Sequence, residues 1–167
     1  MKPSGAAAAP RAQCNFNVVT SRGLQTIIRP HEEMTMEPNK QLVRAAFEAM
    51  GRSDIRPLYE LMTDDFAWVI EGQTRFSRRF EGKEKVKRQL LEPLFDAFAT
   101  PYRFTIDEII GEGDRIVVLG RGEVRTKTGL DYNNSYCFVL RLADGKLVEL
   151  REYLDTALVE RVFGSTS

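Results

Sequence analysis

Apolar residues recur at helical spacing in the first half of the chain and alternate with polar ones in the second. Leu42, Val43, Ala46, Phe47 and Met50 follow the three-to-four spacing of one buried helical stripe, opened by Glu37-Pro38-Asn39 and ended by Gly51. Ser53-Asp54 caps a predicted second helix with Ile55, Leu58, Leu61 and Met62 inward, which Asp64-Asp65 closes before a strand over 66–70. Beyond a polar loop over 72–80, the spacing predicts a third helix over 84–98, kinked or divided at Pro93, with Val86, Leu90, Leu91, Leu94, Phe95 and Phe98 inward. A strand over 102–110, a turn at Gly113-Asp114 and three alternating runs complete the order. Helices followed by a run of strands predict an α+β fold, with helices packed on one face of a curved antiparallel sheet.

The three runs are separated by Thr128-Gly129 and Asp144-Gly145, each suited to a two-residue hairpin turn. Pairing Lys127 with Leu130 sets Arg121 opposite Tyr136 and Glu123 opposite Asn134, because paired positions keep a constant sum around a hairpin. Pairing Ala143 with Lys146 sets Asn134 opposite Asp155, Tyr136 opposite Tyr153 and Phe138 opposite Arg151. One face then carries Arg121, Glu123, Asn134, Tyr136, Arg151, Tyr153 and Asp155, shading into an apolar floor of Leu119, Phe138 and Leu140. That is the make-up of a small-molecule pocket. A bulge or a three-residue loop at either turn would move one strand's side chains to the opposite face.

Composition narrows the function classes. The 24 basic and 24 acidic residues balance, so no nucleic-acid footprint is expected. No apolar run reaches the roughly 18 to 20 residues of a membrane helix. Cys14 and Cys137 form neither a metal-ligand spacing nor a disulfide framework, which suits a reducing, cytoplasmic setting. His31 is the sole histidine and precedes the domain, leaving neither a histidine triad nor a multi-histidine metal site. Residues 1–36 read as a tail of unknown role, with a short strand over 25–28. The first 31 residues lack Asp and Glu, as in a transit peptide, and a start at Met34 or Met36 accounts for them equally well. Residues 164–167 form a C-terminal tail.

The order of elements carries a resemblance, together with Gly51-Arg52-Ser53-Asp54, Leu61-Met62-Thr63-Asp64-Asp65-Phe66, Phe80-Glu81-Gly82-Lys83-Glu84, Asp144-Gly145-Lys146 and Arg151-Glu152-Tyr153-Leu154-Asp155. Residues 37–163 resemble the SnoaL-like branch of the ketosteroid-isomerase-like superfamily. The resemblance implies a cone: a curved mixed sheet wrapped around about three N-terminal helices, enclosing an apolar pocket for a hydrophobic small molecule, often in a homodimer. It implies no metal and no cofactor. The ketosteroid isomerase residue set is absent, since its places fall near Ala46 and Tyr136–Phe138, leaving only Glu71 near the base position. Arg121-Gly122-Glu123 and Asp155 partly match limonene-epoxide-hydrolase-like enzymes, whose water-holding residues would fall near Trp68 and Ile70. A polyketide-cyclase reading needs a single acid/base, either Asp155 or Glu123.

The resemblance thus points to an acid/base enzyme of isomerase, cyclase or epoxide-hydrolase type, with Asp155, Glu123 and Arg121 catalytic and Trp68, Asn134, Tyr136, Tyr153 and Phe138 shaping the site. A non-catalytic ligand-binding or dimerisation module of the same fold is the alternative. Two adjacent carboxylates would separate their pKa values and offer an acid and a base. The same charges read equally as an Arg121-Glu123-Arg151-Asp155 ion-pair network. Trp68 is a pocket wall or a core filler, and at least one of Tyr136 and Tyr153 serves only the sheet. The basic run Arg75, Arg78, Arg79, Lys83, Lys85, Lys87 and Arg88 is interleaved with acids and reads as a solvated rim.

Overall fold

The computed structural model describes residues 30–164. The segment over 25–28, Cys14 and the rest of residues 1–29 lie outside them, as do residues 165–167. The first helix, α1 (Pro30–Met50), begins at Pro30 rather than beside Pro38, which is carried inside it. The predicted stripe holds: Val43, Ala46, Phe47 and Met50 are buried, while Leu42 is exposed. The Phe47 ring lies 5.6 Å from that of Phe104 and 5.1 Å from that of Phe138, seating α1 on the sheet. Gly51 ends the helix where a Cβ would strike the Phe104 carbonyl oxygen.

The second helix, α2 (Arg56–Leu61), is shorter than predicted, because β1 (Met62–Ile70) takes over at Met62. Asp64 and Asp65, expected to close the helix, are exposed strand residues beside an irregularity between Met62 and Ala67. Part of the expected polar loop is the edge strand β2 (Arg79–Glu81). The predicted third helix forms as α3 (Lys83–Val86), a π-helical turn (Lys87–Leu91) and α4 (Glu92–Asp96). The wider turn occurs just before Pro93, whose missing N–H would leave a gap in a continuous helical ladder.

The strands β3 (Arg103–Glu112), β4 (Arg115–Glu123), β5 (Asn134–Ala143) and β6 (Lys146–Leu154) complete a mixed sheet of order β2-β1-β6-β5-β4-β3. Only β1 and β6 pair in parallel. Register shifts interrupt β1, β3 and the β5–β6 pair, and such bulges curl a sheet around its helices. The fold is the expected α+β cone. A final helix, α5 (Thr156–Phe163), covers one end of the concave face.

Two single-residue shifts re-sort the strand faces. The first hairpin has a three-residue tip, Lys127-Thr128-Gly129, with Gly129 at φ 83 and Thr126 N donating to Leu130 O at 2.9 Å. Gly122 therefore pairs with Asn134 and Gly120 with Tyr136, rather than Glu123 and Arg121. The second turn forms as predicted, Ala143 opposite Lys146, with Asp144 and Gly145 both at positive φ. A bulge then absorbs Val148, so Arg141 pairs with Glu149 and Phe138 with Glu152 instead of Arg151.

Candidate functional site

The concave face of β5 carries Asn134, Tyr136, Phe138 and Leu140, all buried. These are the inward positions the alternation predicts. Opposite them the two shifts exchange the partners. On β4, Gly120 and Gly122 face inward, and a Cβ on either would collide with a neighbouring aromatic side chain: on Gly122 with the hydroxyl of Tyr102, just before β3, and on Gly120 with the Phe104 ring of β3. Glycine at these places lets the Tyr102 and Phe104 rings lie flat across the sheet. On β6, Leu150 and Glu152 face inward.

Glu152 is the group the sequence reading missed. Its carboxylate is buried, and Trp68 Nε1 donates to Oε2 at 2.7 Å. Burial pushes the carboxyl up to about 7 from its ordinary 4.5, with the Trp68 hydrogen bond pulling the other way. Its chain neighbour Arg151 points outward, pairing with Glu149 and Glu71 at 3.0 Å each, and so leaves Glu152 without a cation beside it on the strand. A carboxyl poised near neutrality can both take up and release a proton.

Phenols surround this acid. Tyr102, Tyr132 and Tyr136 line the smaller cavity together with Glu152, and Asn134 Nδ2 donates to Tyr132 Oη at 3.5 Å. Burial pushes Tyr132 up to about 12 and raises Tyr102 and Tyr136 well above the ordinary phenol value, so all three remain protonated donors.

Two adjacent cavities meet here, and Leu90, Leu94, Tyr132 and Glu152 line both. The smaller, about 40 Å³, is walled by Trp68, Tyr102, Tyr136 and Phe138. The larger, about 260 Å³, extends under α5 along Phe76, Leu154, Val159 and Phe163. Leu90, Leu91, Leu94 and Phe95 of the third helical segment, with Phe98 just beyond its end, supply one wall of the smaller cavity, as their spacing predicts. Trp68 is therefore a wall and a hydrogen-bond donor, not only a core filler.

The expected acid/base set does not assemble. Arg121 is exposed on the convex face and forms a two-pronged pair with Asp107, at 2.8 and 3.1 Å. Glu123 is exposed on the same face, as is Tyr153, at 46%. Asp155 is exposed and caps α5, its Oδ1 accepting from Ala157 N at 3.0 Å and Leu158 N at 3.1 Å. Asn134 does meet Asp155 as the register implied, but through the backbone: Asp155 N donates to Asn134 Oδ1 at 3.0 Å, and Asn134 Nδ2 donates to Asp155 O at 3.2 Å. Of the eight residues expected in the site, the cavity walls include Trp68, Tyr136 and Phe138, with Asn134 just behind them. A signal for Glu152 was present. Leu147 and Leu150 are both core-type residues three apart, which a strand reconciles only with a bulge between them.

Among the described residues no group of three His, Cys, Asp or Glu is placed to hold a metal ion. No helix among them is long and apolar enough to cross a membrane.

The family model for the SnoaL-like domain matches residues 43–150. The chain belongs to the SnoaL-like domain family. Similar solved structures include a protein described as a SnoaL-like polyketide cyclase from Jannaschia sp. CCS1, 20% identical, covering 79% of this chain and 95% of that one with a TM-score of 0.66. An NTF2-like protein of unknown function from Burkholderia pseudomallei is 27% identical over 74% of this chain and 95% of that one, also with a TM-score of 0.66. TerC, crystallised with polyporic acid, is 24% identical over 77% of this chain and 99% of that one, with a TM-score of 0.65. No curated protein matches the chain significantly. The SnoaL-like match spans α1 to β6 and stops short of Glu152.

Proposed function

We propose that this SnoaL-like protein binds a hydrophobic, oxygen-bearing small molecule beneath the sheet and moves a proton on it with Glu152. The observation that carries this reading is the buried Glu152 carboxyl on the wall of a mostly apolar cavity, hydrogen-bonded to Trp68. Glu152 takes the proton from a carbon beside the substrate carbonyl, and the Tyr132 phenol, which lines the same space, donates a hydrogen bond to the oxygen as charge develops there. The Trp68 N–H stabilises the carboxylate before it accepts the proton. Isomerisation and aldol-type cyclisation both begin with this step. The crystallisation of TerC with polyporic acid supports a ligand-binding role for the same fold. A direct test is solvent deuterium exchange at the α-carbons of a bicyclic ketone such as 2-tetralone, followed by NMR. Glu152→Gln is expected to slow exchange by about 10²- to 10⁴-fold. An unchanged rate in that variant rejects the assignment.

A further inference from the structure

The rim of the larger cavity carries a cation, Arg78, that no carboxylate among the described residues neutralises. Arg78 is exposed, yet its side chain lines the cavity whose inner wall includes the buried Glu152. Its guanidinium carbon sits 4.6 Å from the centroid of the Phe80 ring, a contact that positions the group without consuming its N–H donors. Its carbonyl accepts from Ile70 N at 2.9 Å, so the backbone is tied to the end of β1.

The surrounding arginines are committed elsewhere. Arg75 donates to Phe163 O at 2.9 Å and approaches Glu160 at 3.7 Å. Arg79 pairs with Glu81 at 2.8 Å and with Glu149 at 3.0 Å. Arg151 pairs with Glu71 and Glu149. Among the described residues Arg78 has no carboxylate within ion-pair distance. The other polar side chains on this wall, Thr74, Gln89 and Thr156, are neutral.

We propose that the cavity selects amphipathic carboxylates, with Arg78 holding the carboxylate at the mouth and the apolar body lying along Phe76, Leu94, Leu154, Val159 and Phe163. This rests on reading the cavity as the ligand site. The guanidinium fork matches a carboxylate with two parallel hydrogen bonds, which an alcohol or ester cannot reproduce. Orientation follows from charge: Glu152 is itself acidic, so the ligand's anionic end turns away from it and its reacting carbon turns toward it. Size follows from volume. A cavity of roughly 150 Å³ admits benzene, so about 260 Å³ suits a body of two fused rings.

The probes are 2-naphthylacetic acid and its methyl ester, titrated against the full chain while the fluorescence of Trp68, the sole tryptophan, reports occupancy. The acid is expected to bind about tenfold more tightly than the ester, as for a charge-assisted hydrogen-bonded pair. Arg78→Gln is expected to remove that preference by weakening the acid alone, and Arg78→Lys to restore part of it. Equal affinity of acid and ester for the wild type, or equal weakening of both by Arg78→Gln, overturns the assignment of Arg78 while leaving the cavity as a ligand site. Failure of both probes to bind overturns the cavity reading together with this inference.

Discussion

Glu152 is a cost to the fold, and its cost has a sign. In the unfolded chain its carboxyl releases a proton near the ordinary 4.5, whereas the folded state holds that proton up to about 7. Between those values the folded state binds more protons than the unfolded state, so this residue's contribution to stability falls as pH rises and is lowest above 7. Glu152→Gln has no charge to bury and its amide oxygen can still accept from Trp68. Relative to wild type it is expected to gain about 3 kcal/mol between about pH 4 and about pH 8, measured by denaturant unfolding. Asp155 behaves differently because its carboxylate caps α5. Asp155→Ala is expected to cost about 1 kcal/mol and Asp155→Asn almost nothing, while both leave the proton-exchange rate of the folded protein unchanged. A large loss of rate in Asp155→Asn would return the catalytic role to Asp155.

At the scale of strands, the inner half of the site was legible and its opposite wall was not. Asn134, Tyr136 and Phe138 fall on one face by simple alternation, and the structure buries all of them. Their partners depend on counting around a turn, where one residue decides everything. Thr128-Gly129 looks the same in a two-residue and a three-residue tip. The side chain of Thr126 settles the longer one, its hydroxyl accepting from Leu130 N at 3.1 Å. Ile116-Val117-Val118-Leu119 is apolar at every position, so it gave no clue to which face is inward. Gly120 and Gly122 were the better guide, since the close approach of Tyr102 and Phe104 excludes a side chain there. Gly122→Ala is expected to destabilise the fold by about 1–3 kcal/mol through overpacking, and to slow proton exchange by displacing Tyr102, whose ring lines the smaller cavity. Thermal melts and exchange rates measured together check both effects. The helices were easier to read, because a stripe such as Val43, Ala46, Phe47 and Met50 survives a misplaced terminus; their ends moved, and the third is divided by a π-helical turn.

Over the whole molecule, the α+β class and the cone followed from element order and resemblance, whereas the chemistry followed from strand register. Strands paired in the expected registers would present Arg121, Glu123 and Arg151 to the helices and send Glu152 to water. The bulge at Val148 and the wider hairpin shift the registers by one residue each, place the charges on the convex side and leave one carboxyl among aromatic rings. The cavities beneath are walled by elements far apart in the chain: β1, the third helical segment, β5, β6 and α5. Activity therefore turns on a single ionisation inside that enclosure. The most direct measurement is the pH dependence of α-proton exchange on 2-tetralone, run in parallel with wild type and Glu152→Gln. The wild-type rate is expected to rise with pH through an apparent pKa of about 7, with a low, flat profile in the variant. A profile that turns in the ordinary carboxylate range, or one that the variant reproduces, would contradict Glu152 as the proton acceptor.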